Sequence, residues 1–253
     1  MPIINRGSIA TPGEFRRAQN WIGPAGASLA QATFVPPPVP DMRDALHSFE
    51  SFLHDDGHYP TLIAVGLAHA QFETIHPFLD GNGRVGRLLN TFLLVHRGML
   101  RQPLLYLSHF FKLHRTEYYD RLMAVRQRGD WEGWIRFFLE GVLQTAREAT
   151  KTAEQLFELR EEHRGMIIQN NLGPNGLKLL SQLFQRPLVN INLVASLIES
   201  TFPTASRLVS SFEAMGLLRE ITGQKRSRVF RYEPYLALFQ DATAEDEARS
   251  IGV

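Results

Sequence analysis

Hydrophobic residues recur at intervals of three and four along most of the chain, which is the spacing of amphipathic helices. They predict a helix beginning near Asp41, another from Thr61 to just before His76, and helices at 84–96 and 115–128. A long helical stretch, broken once, is predicted from Asp130 to about Asn170. The inward positions of these segments are Leu46, Phe49, Leu53, Val65, Ala68, Phe72, Trp134, Phe137, Phe138 and Leu156. The pattern indicates a mainly α fold built on a helical bundle.

The segment before these helices has a different pattern. Extended runs at 15–22 and 33–35 flank Gly23-Pro24-Ala25-Gly26, a strong turn signal, and predict a β-hairpin on the surface of the bundle. The prolines within 36–40 end any strand and form a stiff crossing. Asp41 then offers a side chain that can cap the first long helix.

The pattern changes again after residue 172. Helices at 175–184, at 191–198 and from Pro203 to Gly216 precede two strands, 217–221 and 228–232, which is a winged-helix pattern. Residues 172–235 hold eight basic and four acidic side chains, and the predicted wing contains Lys225, Arg226 and Arg228. DNA binding is one interpretation. The modest excess of positive charge favours the other, a module that docks proteins or forms a homodimer.

Four regions follow from these elements: an N-terminal segment with the hairpin flap (1–40), a helical domain (41–171), a winged-helix domain (172–238) and an acidic tail expected to be disordered (239–253). The net charge of +1 gives no overall field that would favour nucleic acid or membranes. There is no cysteine, no apolar run of about 18–20 residues and no signal-peptide pattern. We therefore expect a cytoplasmic enzyme without membrane contact.

Residues 76–87, His-Pro-Phe-Leu-Asp-Gly-Asn-Gly-Arg-Val-Gly-Arg, have the form of an anion site. The turn Gly81-Asn82-Gly83 leads directly into a helix, whose start offers unpaired N–H groups and the positive end of a dipole. Arg84 and Arg87 are three residues apart, and so share the helical face over that turn. The segment therefore predicts binding of a nucleotide through its phosphates.

The same segment also carries a base and a metal ligand. His76 is a general-base candidate, since its unperturbed pKa is near neutrality. Asp80 is the only acid of the loop, and a carboxylate beside phosphates is suited to Mg²⁺. Each residue alone has an ordinary explanation as a loop histidine, a turn or a solvated charge. However, no packing requirement asks for base, acid, phosphate turn and two cations together.

At these residues the chain resembles the Fic family, whose motif is His-x-Phe-x-Asp/Glu-Gly-Asn-Gly-Arg-x-x-Arg. His76, Phe78 and Asp80 fill the first three fixed positions, and Gly81 to Arg87 fill the others. The resemblance extends from about Gly13 to about Tyr235. It is to bacterial Fic proteins with a winged-helix domain after the catalytic helices. It implies transfer of AMP from ATP to a protein hydroxyl, with a hairpin flap that holds the target beside the histidine.

The roles that follow can be assigned to individual residues as a hypothesis. His76 accepts the proton of a Ser, Thr or Tyr hydroxyl that attacks the α-phosphorus of ATP. Asp80 holds Mg²⁺ at the α- and β-phosphates. Backbone N–H groups around Asn82 and Gly83, with the Asn82 amide, form an oxyanion cradle. The two motif arginines clamp the β- and γ-phosphates. Tyr106, Tyr118 and Tyr119 are candidates for a stacking wall at the adenine, although core packing explains them as well.

Many Fic proteins are restrained by a glutamate in a Ser/Thr-x-x-x-Glu-Gly/Asn helix. The Glu-Gly pairs of this chain, at 132–133 and 140–141, have Arg128 and Arg136 where Ser or Thr is required. We therefore expect no self-inhibition through that device. Two alternatives to AMP transfer stay open from the sequence: a DNA-binding regulator with a vestigial Fic site, and transfer of a phosphate or another nucleotide group.

Overall fold

The computed structural model describes residues 13–24, 28–55, 57–101, 106–224 and 227–239. Within them the chain is mainly helical with one small antiparallel sheet, as the hydrophobic pattern predicts. It divides into two compact units, Met1–Arg147 and Glu148–Val253. In this described part of the chain, no helix is both long enough and apolar enough to cross a membrane.

The first unit is a helical bundle. Its helices are α1 (Val39–Leu53), α2 (Thr61–Ile75), α3 (Asn82–His96), α4 (Leu107–Leu113), α5 (Arg115–Arg128) and the first part of α6 (Trp131–Gln169). The predictions for α2, α3 and α5 are confirmed within two residues, whereas α4 was not predicted.

Two details of the helix prediction are wrong. The first is the cap at Asp41, because α1 begins two residues earlier with Pro40 in its first turn, and Asp41 lies inside that turn. Its carboxylate still faces the positive end of the helix. The second is the break in α6, which runs unbroken for 39 residues. The helix contains no proline, and Asp130 caps its start by accepting the N–H of Gly133 at 3.0 Å.

Helix α2 forms the centre of this unit and packs against α1, α3 and α5. It is apolar almost all round, which is the composition of a helix with no solvent face. Gly66 is on its surface toward α6, where the Trp134 indole N–H donates to the Gly66 carbonyl at 2.8 Å. The same helix also carries two polar side chains, His69 and Glu73, into the interior. Because this helix is buried, both side chains need hydrogen-bond or charge partners inside the protein.

The predicted hairpin is present as one antiparallel bridge instead of two strands. Ile22 and Phe34 pair through backbone hydrogen bonds of 2.8–3.1 Å. A short 3₁₀ helix, Leu29–Gln31, occupies part of the connection, and residues 25 and 26 of the predicted turn lie outside the described residues. The segment 13–38 is called the flap below.

The second unit combines helices with a three-stranded sheet. After the end of α6 come α7 (Gly173–Leu183), β1 (Leu188–Asn190), α8 (Ile191–Leu197), α9 (Phe202–Ala214), β2 (Leu218–Glu220) and β3 (Val229–Tyr232). The strands are antiparallel in the order β1-β3-β2. The three predicted helices and two predicted strands are present, and β1 is additional. This strand escaped prediction because it has only three residues, of which Val189 alone is buried.

The predicted functional features of this unit are mostly outside the described residues. Lys225 and Arg226 of the predicted wing are among them, as is the predicted acidic tail beyond residue 239. Arg228 lies over the ring of Phe230, 5.1 Å from its centroid. DNA binding by this unit stays a prediction.

Two glycines of α6 differ in what a methyl group would meet. A Cβ at Gly141 would lie 2.5 and 2.6 Å from ring carbons of Phe110, which is buried in the core, whereas a Cβ at Gly165 would meet nothing within 4 Å. We expect Gly141→Ala to lower the free energy of unfolding by about 1–3 kcal/mol through overpacking. Gly165→Ala should raise it by about 0.5–1 kcal/mol through helix propensity. Urea denaturation followed by circular dichroism measures both, and shifts of the same sign would contradict the packing.

Candidate active site

The motif forms the loop between α2 and α3. His76 ends α2 in the left-handed conformation, with φ 48° and ψ 60°, and Gly81 precedes α3 with φ 84° and ψ 5°. Glycine adopts this conformation freely, whereas a residue with a side chain pays about 1 kcal/mol or more. The surroundings of His76 must therefore hold it in place.

Asn82 closes the loop from inside. Its side-chain oxygen accepts the N–H of Phe78 at 2.8 Å, and its Nδ2 donates to the Phe78 carbonyl at 2.7 Å. The residue is almost fully buried. Both polar atoms thus bond the loop backbone, and one N–H of the amide is not used by these bonds. The role predicted for the Asn82 amide in the oxyanion cradle stays a prediction.

The start of α3 provides a main-chain cradle. The first intrahelical bond joins the Val85 N–H to the Gly81 carbonyl at 3.0 Å, so the N–H groups of residues 82–84 precede it. They point along the helix axis together with the positive end of its dipole. Gly83 leaves room for a close approach of Arg87, since a Cβ at this position would lie 3.1 Å from Nη1 of that arginine.

The two motif arginines have different surroundings. Arg84 is 45% exposed and its Nη2 lies 3.5 Å from Oδ2 of Asp80. Arg87 is partly buried and lies across Gly83, with its charge close enough to affect Glu73 and His69. One arginine thus reaches toward solvent at the mouth of the loop, and the other lines its inner wall.

Asp80 has the properties of a magnesium ligand that works with a phosphate. Its Oδ1 accepts the Gly81 N–H at 2.6 Å, which orients the carboxylate. The side chain is 59% exposed, and Oδ2 has only the long contact to Arg84. Among the described residues, no three acidic or histidine side chains are placed together so that they could hold a metal ion. A single carboxylate still fits Mg²⁺, which keeps several waters and takes its other ligands from substrate phosphates.

Arg16 of the flap fixes the other side of the loop. Its backbone N–H donates to the Pro77 carbonyl at 2.8 Å, and its Nε donates to the His76 carbonyl at 3.1 Å. Its Nη2 donates to the carbonyl of Pro37. The residue is 1% exposed. Nearby, Nδ2 of Asn20 donates to the Phe78 carbonyl at 2.9 Å. The flap is therefore attached to the loop that carries His76.

Behind His76 lies a buried carboxyl group on α2, that of Glu73. Oε2 of Glu73 is 3.9 Å from Nδ1 of His76, and its Oε1 lies against the backbone of Gly86, where a Cβ would be only 2.7 Å away. Arg126 of α5 donates to the Glu73 carbonyl at 2.8 Å, and its guanidinium lies over the Phe34 ring, 3.8 Å from the centroid. This arginine links the flap to the end of α2.

Burial strongly shifts the pKa values of His76 and Glu73. It lowers the pKa of His76 from 6.5 to about 4; the carbonyl of Glu73 raises that pKa, Arg126 and Arg16 lower it, and Asp80 raises it. Burial also raises the pKa of Glu73 from 4.5 to about 7, against the opposing charges of Arg126 and Arg87. At neutral pH His76 is therefore uncharged, as a general base must be.

A polar network supports α3 from below. Nδ1 of His69 donates to the Gly86 carbonyl at 3.2 Å, and Nε2 of the neutral ring accepts from the Tyr118 hydroxyl at 2.9 Å. The ring stacks on Trp134, with 5.7 Å between the centroids. Burial lowers the pKa of His69 to about 4. Tyr118 is thus a core residue, which agrees with the interpretation of the tyrosines as core packing.

A pocket of about 450 Å³ opens beside Arg87. Tyr106 and Tyr119 stand at it with 71% and 45% of their surface exposed. Lys112 and Arg115 add positive charge, and the other lining residues are Ser108, His109, Phe111 and Tyr118. The pocket therefore combines aromatic faces with cations next to the predicted phosphate site.

Comparison with known proteins agrees with this geometry. Residues 3–94 match the sequence profile of the Fic/DOC family. Over these residues the chain is similar to proteins of the Fic/DOC family. Over 131 residues it is 36% identical to the protein adenylyltransferase Fic of Aedes aegypti and 34% identical to that of Culex quinquefasciatus. Each match covers 51% of this chain and 23% of the relative, so the chain spans about a quarter of the length of these proteins.

The fold has a counterpart among solved structures. A Fic family protein from Desulfovibrio desulfuricans G20 superposes with a TM-score of 0.53 at 19% identity. The match covers 90% of this chain and 64% of that one. At this identity the similarity supports the fold and nothing finer.

Three residues outside the motif contact the loop or the end of α2 and complete the candidate site: Arg16, Glu73 and Arg126. The sequence does carry a signal for Glu73, an acid in an otherwise apolar helix end, one turn before His76 on the same face. It carries none for the two arginines, which are 60 and 50 positions away in the chain and arrive through tertiary packing.

The opposing pKa shifts predict how stability depends on pH. Between pH 4.5 and 6.5 the unfolded chain binds more protons at His69 and His76, while the folded chain binds more at Glu73. The two histidines together outweigh the one carboxyl, so the unfolded chain binds about one proton more than the folded chain. These groups should therefore raise the free energy of unfolding by about 1.4 kcal/mol per pH unit across that window.

The variant His76→Ala should lower this slope by about one proton, or about 1.4 kcal/mol per pH unit. His47→Ala, at an exposed position of α1, is the matched control and should leave it unchanged. Urea denaturation at several pH values between 4.5 and 6.5 gives the slopes. An unchanged slope in His76→Ala would show that the folded protein holds this ring charged.

Proposed function

We propose that this protein transfers AMP from ATP to a hydroxyl group of a target protein and releases pyrophosphate. The observation that carries the proposal is the placement of an uncharged histidine, His76, beside a helix start with free N–H groups and two arginines. The names of the adenylyltransferase relatives support the same activity. Because the chain spans only part of those proteins, the geometry of the site bears most of the argument.

The base in this proposal is His76. Its Nδ1 is buried, while the side chain as a whole is 15% exposed, so the accessible edge of the ring includes Nε2. The hydroxyl of a serine, threonine or tyrosine gives its proton to that nitrogen as its oxygen attacks the α-phosphorus. The left-handed backbone conformation of His76 keeps its ring at the mouth of the loop.

The phosphates of ATP are received by the start of α3. The N–H groups of residues 82–84 stabilise the charge that develops on the α-phosphoryl oxygens. Arg84 at the rim and Arg87 on the inner wall hold the remaining phosphates with planar guanidinium groups. The pocket beside Arg87, with Tyr106 and Tyr119, has the size and the aromatic surfaces to receive the nucleoside.

Asp80 would hold the magnesium ion, which when bound neutralises phosphate charge and favours departure of pyrophosphate. The contact between Gly81 N–H and Oδ1 leaves Oδ2 directed away from the backbone and available. Its weak contact with Arg84 costs little to break, since both side chains are largely exposed.

The flap is the proposed docking element for the target. It is fastened to the motif loop by Arg16 and Asn20, so a segment that pairs with its main chain would run close to His76. Main-chain pairing holds an extended segment without reading its side chains. The target is therefore defined here only by its chemistry, a hydroxyl on an extended segment.

Labelled ATP tests the reaction. The chain is incubated with cell lysate and ATP labelled at either the α- or the γ-phosphate. We expect protein labelling from the α-position alone, and a loss on the order of 10²–10⁴ in the variant His76→Ala, which lacks the base. ATP binding, measured by calorimetry, should be nearly unchanged in that variant, and His47→Ala should label as the wild type does. Label from the γ-position would instead indicate phosphorylation. Labelling retained in His76→Ala would show that His76 is not the general base.

The metal requirement gives a separate test. In the variant Asp80→Asn we expect the Mg²⁺ concentration for half-maximal labelling to rise on the order of tenfold or more, because the ion loses its charged protein ligand. Asp44→Asn on the exposed face of α1 is the control. A magnesium titration of α-label transfer measures both. Equal curves for the two variants would place the ion elsewhere.

A further inference from the structure

We infer that Glu73 is the positioning residue of the base: its carboxylate accepts the Nδ1–H of His76, leaves Nε2 free for the target hydroxyl, and balances the charge that the ring gains. The inference rests on the proposed AMP transfer and extends it to a residue that lies outside the family motif. It starts from two buried atoms without partners.

Those atoms are Nδ1 of His76 and Oε1 of Glu73, which are buried and have no hydrogen-bond partner among the described residues. The second carboxylate oxygen, Oε2, is 3.9 Å from Nδ1. Hydrogen bonds of catalytic residues are often long before substrate binds and shorten in the reacting complex. A small rotation of either side chain therefore satisfies an orphaned donor at low cost.

The surroundings decide which nitrogen carries the proton. Nδ1 faces the carboxylate and lies near the backbone carbonyl of Glu73, both of which accept hydrogen bonds. A buried ring nitrogen among acceptors holds the proton, so Nε2 keeps its lone pair. That is the tautomer a general base needs.

Charge balance gives the second argument. The groups that face His76 are Arg16 on the flap, Arg126 on α5, and the carboxylates of Glu73 and Asp80. When the ring takes a proton it becomes a third positive charge beside two arginines, in a site with little water. Asp80 is committed to the exposed side of the loop. Glu73 is the buried negative charge that can offset the imidazolium.

The groups that face Glu73 leave its carboxylate free for this task. Arg126 bonds the Glu73 carbonyl and Thr74 and not the carboxylate, and Arg87 acts on it through space. Tyr118 and His69 are bonded to each other. Among the described residues, His76 is the one basic side chain with a nitrogen within 4 Å of this carboxylate.

The step balances without a further reactant. The target oxygen forms its bond to the α-phosphorus as the bond from that phosphorus to the pyrophosphate oxygen breaks. The hydroxyl proton passes to Nε2, and the bonding electron pair leaves with pyrophosphate. The Nδ1 proton stays on Nδ1, and only its hydrogen bond to Glu73 strengthens.

The pH profile of α-label transfer tests the role with the variant Glu73→Gln, which keeps the shape and removes the charge. Since the pKa of Glu73 is about 7, the wild type and the variant should transfer at similar rates near pH 5.5, where Glu73 is itself uncharged. Above pH 7.5 the wild type should be faster by about tenfold or more. Glu50→Gln, exposed on α1, is the control. If Glu73 had a purely structural role, the ratio of the wild-type rate to the Glu73→Gln rate would not change with pH. That result would overturn the inference.

Nuclear magnetic resonance separates this inference from the proposed function, because it needs no transfer. The ring nitrogens of His76, assigned by comparison with His76→Ala, should show the Nδ1–H tautomer and an inflection near pH 7 that is absent from Glu73→Gln. If the wild type transfers no AMP, the proposed function fails, but this titration still shows whether His76 and Glu73 interact.

Identical His76 titration curves in the wild type and in Glu73→Gln would refute the inference. So would Glu73→Gln binding ATP more tightly and transferring faster, since that result would make Glu73 a restraint on Arg87.

Discussion

The two hydrogen bonds between the Asn82 side chain and the backbone of Phe78 are the constraint on which the site depends. They tie the first residue of α3 to the middle of the loop, so the histidine at the end of one helix and the N–H groups at the start of the next cannot separate. An asparagine is suited to this position because it offers a donor and an acceptor on one planar group. The same bonds hold the amide against the loop, and the N–H groups at the start of α3 are the main-chain donors offered to a phosphate.

A second demand follows from placing this loop between two core helices. Helix α2 has to be apolar to pack in the centre, yet it carries His69 and Glu73 into the interior. His69 is satisfied by the Gly86 carbonyl and the Tyr118 hydroxyl, whereas Glu73 keeps one oxygen unpaired. Buried polar groups usually find partners, and an exception in a native fold calls for an explanation. Stability would favour an apolar side chain at 73, so function is the natural reason for the acid.

The sequence predicted what local chemistry determines. Helical periodicity located α2, α3 and α5, and the order of residues from His76 to Arg87 indicated a phosphate site. The motif could not show that the Asn82 side chain faces the loop, since a buried and an exposed asparagine look alike in sequence. Arg16 and Arg126 were missed because nothing in their neighbourhoods distinguishes them from surface arginines. The flap was overestimated as a hairpin, since turn signals specify a reversal of the chain but not the number of paired residues.

Burial moves the two titrating groups of the site in opposite directions, and that separation has a chemical use. Removal of water disfavours charge on both side chains, so Glu73 holds its proton to higher pH and His76 loses its proton at lower pH. A histidine with a pKa of about 4 is always ready to accept a proton at neutral pH, but is a weak base. In the proposed reaction the triphosphate would change this balance, because it would bring further negative charge to a ring that faces Arg16 and Arg126. Part of the basicity that His76 lacks in the free protein would then arrive with the nucleotide, and ionised Glu73 would supply more from behind the ring. Such a base would be strongest with its substrate bound.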